Sequence, residues 1–168
     1  MHAEAEVGSL PWVTEGIFIG LVGAATVAAF FLVVDLLAGR VLWTPYVLGS
    51  AFFRGTLPAA GSPIVPGLVL GYTILHSAVF AGVGALASFH FLDGGRLPGP
   101  VAVRGLVLAG LLFAAFEVIF VVFGAVAAPG ILHMLGAGRV AAANLVAAGT
   151  MAATLFVRVE QLARKESR

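Results

Sequence analysis

Two side chains in this chain invite chemistry by type and position, His76 and Glu117, because each sits deep in a long apolar run where an ionisable group is costly. Gly67–Leu92 carries the histidine and Val101–Ala128 carries the glutamate. Tyr72, Thr73 and His76 fall at helical positions i, i+1 and i+4, so they form a polar stripe on one side of a helix. Asn144 and Asp35 fall in the same half of the membrane in two further apolar runs, nearer its boundary, giving a candidate buried polar site of His76, Glu117, Tyr72, Asn144 and Asp35. A carboxyl and an imidazole meeting in a low-dielectric interior can share a proton, pair as ions or simply hydrogen-bond. The expectation is that His76 and Glu117 face each other across their two helices, with Tyr72 or Asn144 extending the network. A purely structural role for such buried hydrogen bonds, at about 0.6 kcal/mol each, competes with any chemical one.

The elements that must hold these residues follow from composition. Of 168 residues, 61% are hydrophobic and 10% charged, with a mean hydropathy of +1.09, whereas a soluble domain carries about 25% charged residues. The expected fold is all-α, an integral membrane four-helix bundle forming one domain, with spans near 16–38, 67–92, 101–128 and 140–157. Between the first two spans, a segment rich in Trp43, Tyr46, Phe52 and Phe53 is cut by Pro45, Pro58, Pro63 and Pro66 and cannot cross. Thr44-Pro45 has the form of an N-cap followed by proline at the first helical position, and Gly55 after Arg54 is a fitting stop, so a short interfacial helix is expected near 45–54. Asp35, in the last turn of the first span, is expected at the water boundary with Arg40 as a neighbour.

Small residues predict where helices approach. Gly67, Gly71, Ala78, Gly82 and Ala85 mark the second span, Gly20 and Gly23 the first, and Gly110, Ala114, Val121 and Gly124 share a face with Glu117. Residues 93–100 read as a short loop and 131–139 as a connector, while Glu160 and Arg164, four apart, suit a helix emerging into water. No basic n-region precedes the first apolar run, so a cleaved signal peptide is not expected.

Arg96, Arg104, Arg158, Arg164, Lys165 and Arg168 fall on the side of the termini, against Arg40, Arg54 and Arg139 opposite. That bias predicts cytoplasmic termini. On such a topology His76 lies about nine residues and Glu117 about eleven from the opposite boundary, roughly 14 and 16 Å deep.

Several chemistries find no support. A net charge of +1 gives no basic field for nucleic acid, and the absence of cysteine removes disulfides and thiolate sites. His76 and His90, 14 apart, share a helix face, but no other span supplies the histidines that a b-type haem would need. A divalent metal on Glu117 and His76 has acceptable ligand types without a metal-binding spacing such as HExxH. No cofactor is therefore expected, and an intramembrane enzyme has the least support because no nucleophile motif is visible.

Val33-Val34-Asp35-Leu36-Leu37-Ala38-Gly39-Arg40 with Trp43-Thr44-Pro45, together with Tyr72-Thr73-Ile74-Leu75-His76, Phe116-Glu117 and Ala143-Asn144-Leu145, resembles small four-helix inner-membrane proteins of bacteria. The resemblance covers most of the chain and implies a bacterial inner-membrane location, but transfers no catalytic residue. The functional expectation is an accessory or binding subunit of a membrane complex or homo-oligomer, in contact with the lipid bilayer. The alternative is a small transporter or a proton- or cation-conducting unit using His76 and Glu117.

Overall fold

The computed structural model describes residues 11–92 and 100–166. The chain is helical, with α1 Pro11–Leu37, α2 Trp43–Arg54, α3 Pro66–Leu92, α4 Val101–Ala127, α5 Ile131–Leu135 and α6 Ala137–Glu166. Four of these, α1, α3, α4 and α6, are long and apolar enough to cross a membrane, with segment hydropathies of 2.6, 1.6, 2.7 and 1.8. Their outer faces carry exposed Leu70, Ile74, Leu86, Leu106, Leu111, Val118, Val126, Leu145 and Val157. Apolar exposure on that scale marks a multi-pass membrane protein, because in water it would drive association.

α1 and α6 are longer than the apolar pattern predicts, whereas α3 and α4 match it to within a residue. α1 begins at Pro11 rather than near residue 16, and its extra turn is held by contacts. Trp12 meets Phe89 edge to face at 5.1 Å, and Glu15 pairs with Arg158 at 3.3 Å. The 131–139 connector folds a short helix of its own, α5, whose Ile131 and Leu135 are buried. The 93–99 loop and the side chains of Glu160 and Arg164 lie outside the described residues.

Glycine sets the tightest seam. α1 and α3 run antiparallel in near four-for-four register, Gly16 against Ala85, Gly20 against Ala81 and Ala24 against His76. A Cβ on Gly20 would stand 2.6 Å from the Ala81 Cα, and one on Gly84 would stand 2.6 Å from the Gly20 nitrogen. Backbones this close gain dispersion contact that larger side chains would prevent. The contact on α3 falls on Gly84 and Ala85, whereas Gly67 and Gly82 meet nothing within 4 Å and Gly71 meets Phe53. The pattern of small residues in the second span thus names the wrong glycines, because spacings of three and four fit several faces of one helix.

α1 also packs on α6, and α6 on α4, while α2 packs mainly on α3. Met151 of α6 fills the space beside Gly23, and Phe156 of α6 lies over Gly105 of α4. α3 and α4, consecutive in the chain, do not form a close helix pair; they meet through the stacked rings of Phe80 and Phe116, 4.4 Å between centroids. Three seams are therefore tight and the fourth is held by large side chains.

α2 and α5 close one end. Gly49 rests on the Leu68 carbonyl, Phe52 stacks on Phe123 at 6.0 Å, and Leu57 lies 3.8 Å from the Cβ position of Gly130. Most of α2, Trp43, Thr44 and every residue from Tyr46 to Ala51, is almost wholly covered.

Candidate functional site

Asp35 belongs to the α1–α2 junction. The chain leaves α1 through Gly39 and turns into α2 at Leu42, both left-handed, with φ of 68° and 63°. The leucine side chain at the N-cap offers no acceptor to the first turn, and its left-handed backbone costs roughly 1–2 kcal/mol. Asp35 supplies the cap from the preceding helix: its Oδ2 accepts the Thr44 N–H and its Oδ1 accepts the Thr44 hydroxyl, both at 2.7 Å. Thr44 is accordingly not the N-cap that the Thr-Pro pattern suggests; it lies one residue inside the helix and is itself capped. Asp35 is covered by protein, being 3% exposed, and Arg40 lies over Trp43, 4.6 Å from its ring centroid. The carboxylate is spent on two donors at the end of the helix assembly, away from the other polar residues.

His76 and Tyr72 form the second group. One turn apart on α3, they meet at 3.4 Å through Tyr72 OH and His76 Nδ1, and His76 Nε2 lies 3.4 Å from the Ala24 carbonyl of α1. A single tautomer serves both contacts: Nε2–H donates to the carbonyl and Nδ1 accepts from the phenol. Both bonds are long. The imidazole also tilts over Phe80 at 4.6 Å.

Glu117 and Asn144 form the third group. Asn144 Nδ2 donates to Glu117 Oε1 at 2.8 Å, joining α4 to α6. Asn144 is buried and Glu117 is half-buried. The strip expected to point inward with Glu117 points largely outward: Gly110, Ala114 and Val121 are exposed, while the buried face runs through Gly105, Leu108, Leu112 and Phe116, with Gly124. Glu117 follows Phe116 by one residue, about 100° around the helix, and so sits at the edge of the buried face.

The expected His76–Glu117 contact is not made; each has its own partner. The short loop does not force α3 and α4 together, because α1 and α6 lie against them on the other side. What links the two polar pairs is aromatic: His76 packs on Phe80, Phe80 on Phe116, and Glu117 is the next residue. Both pairs lie on the α2 side of that stack, where Tyr72, His76 and Glu117 are half-buried and Phe113, Phe120 and Phe123 pack half-buried against the core. The aromatic bridge is the part that ionisable residues alone could not reveal; Phe80, four after His76, and Phe116, beside Glu117, were the available signal.

On the other side of the stack the interior is apolar, with Ile19, Leu108, Leu112, Met151, Ala152 and Leu155 buried and Ser88 the buried polar side chain among the described residues. No three His, Asp or Glu side chains converge among the described residues. His90 is at the helix end, with Nδ1 2.9 Å from the Leu86 carbonyl.

Compared with known proteins, the chain matches no family model, no curated protein and no solved structure.

Proposed function

We propose that this is a membrane-embedded binding or accessory subunit, acting in a homo-oligomer or a larger membrane complex, and that its working part is the seam between α3 and α4. The observation that carries this reading is the loose contact of α3 with α4: three helix pairs pack closely, whereas these two meet through Phe80 and Phe116, with half-buried His76 packed on the first ring and half-buried Glu117 next in sequence to the second. Half-buried polar groups at membrane depth are costly unless something covers them, so a site of this kind suits a ligand or a neighbouring helix. Transport or conduction through His76 and Glu117 would require polar groups continuing to the far surface. Below the Phe80–Phe116 stack the buried side chains among the described residues are apolar except for Ser88, with the buried Glu15 Oε2 and Arg104 Nε only at the terminal ends of α1 and α4, and that apolar stretch favours binding.

The protein sits in this reading in a bacterial inner membrane with both termini in the cytoplasm. On this topology α2 lies at the opposite surface, its covered face on α3 and its exposed Arg54 toward the interface. Reporter fusions at the C-terminus and within residues 93–98 should both give cytoplasmic signals; an exported signal from either reverses the topology. Isolation in mild detergent, followed by native mass measurement, should yield several copies or companion subunits. A lone monomer with no companion overturns the accessory reading.

A further inference from the structure

Glu117 differs from the other described carboxylates of the long helices in how it is satisfied. Asp35 takes two donors from Thr44, and Glu15 takes a cation, with Arg158 Nε 3.3 Å from its Oε2. That same guanidinium lies over the Phe18 ring, 4.6 Å from its centroid. Glu15 and Phe18 are three residues apart on α1, one turn, so a carboxylate and a ring face present themselves to one cation. α4 repeats the arrangement: Phe120 follows Glu117 by three, and Phe113 precedes it by four. Asn144 holds Oε1 from behind, while Oε2 makes no hydrogen bond among the described residues. Arg54 and Arg139, at the α2 end, make no ion pair with it.

We infer that Glu117, with Phe113 and Phe120 one turn to either side of it on α4, binds a lipophilic organic cation, a guanidinium or ammonium group carried on an apolar body. This rests on the reading of the seam as a binding place and names the ligand class. The charge is set by the uncompensated carboxylate, which a cation would satisfy at far less cost than lipid. The apolar body is set by the surroundings, since Phe113, Phe120, Val118 and Val121 border the residue and are half-buried or exposed. An inorganic divalent ion would need more oxygen ligands than one carboxylate and one amide supply. The aromatic rings, by contrast, add attraction for a weakly hydrated organic cation.

The test uses the full-length protein, one copy per phosphatidylcholine nanodisc, with benzylguanidinium as probe, benzylurea as its neutral counterpart and empty nanodiscs as the blank. Equilibrium dialysis should show saturable benzylguanidinium binding above the blank and none for benzylurea. Glu117→Gln, which keeps an oxygen for Asn144, should weaken binding at least tenfold. Phe113→Leu with Phe120→Leu, keeping the carboxylate, should weaken it several-fold, and Glu15→Gln should leave it unchanged. Equal affinity for benzylurea, no saturable binding, or Glu117→Gln binding as tightly as the parent overturns the inference. Co-isolation reads companions and dialysis on single copies reads the cation, so either reading can fail without the other.

Discussion

Replacing Asp35 by alanine removes one side chain and leaves two donors without an acceptor, both belonging to Thr44, which is 4% exposed. A hydrogen bond to a carboxylate contributes about 1.5–3 kcal/mol, and loss of a helix N-cap costs about 1 kcal/mol. The two bonds share one acceptor and one residue, so their losses overlap, and about 3 kcal/mol is the expected cost of Asp35→Ala. Thr44→Ala removes the hydroxyl but keeps the backbone N–H bond, and should cost about 1 kcal/mol. Asp35→Asn keeps an acceptor oxygen but turns an NH2 toward the remaining donor, which places it between, at about 2 kcal/mol. At roughly 2–4 °C per kcal/mol for a chain of this size, Asp35→Ala should lower the melting temperature of detergent-solubilised protein by about 6–12 °C. The double variant should be no worse than Asp35→Ala alone. A local readout is available because the chain has no cysteine: Ala51→Cys, at a position with no exposed surface, should resist maleimide in the parent and react once the Asp35 cap is gone. Equal losses for Asp35→Ala and Thr44→Ala, or an unchanged melting temperature with the introduced thiol still protected, would refute the capping account.

The glycine seam predicts a sharp contrast. Gly20→Ala or Gly84→Ala should force α1 and α3 apart and cost several kcal/mol, about the scale of overpacking or more, whereas Gly82→Ala and Gly110→Ala, whose Cβ positions meet nothing within 4 Å, should leave the melting temperature within about 2 °C. Arg158→Ala should cost about 1–2 kcal/mol, since both side chains are partly exposed, at 37% and 21%, but the Glu15 Oε2 that faces the guanidinium is buried without another partner; an unchanged melting temperature would show that the pair contributes nothing. Asn144→Leu should destabilise more than Glu117→Gln, by about 1–2 kcal/mol, because it strands a half-buried carboxyl while the glutamine keeps its partner.

Sequence alone determined the long helices, because twenty or more apolar residues between turn signals leave the backbone no other way to satisfy its hydrogen bonds in a bilayer. It also determined the break at Gly55, where the chain turns left-handed with φ of 64° and its N–H reaches the Ala51 carbonyl. Those are local events, governed by residues within a turn of one another. The partners of Asp35, His76 and Glu117 were not legible in that way. Depth along a helix follows from counting residues, but which way a side chain points depends on which neighbouring helix wins the contact. Here Gly16, Gly20 and Gly84 draw α1 against α3, and Gly105 with Phe156 draws α4 against α6. Once those seams are made, His76 reaches Ala24, Glu117 reaches Asn144, and the bulk of Phe80 and Phe116 occupies the ground where histidine and glutamate would have met. Tertiary packing decided the pairing because backbone approach at glycine gains more contact than one hydrogen bond between the two ionisable side chains could return.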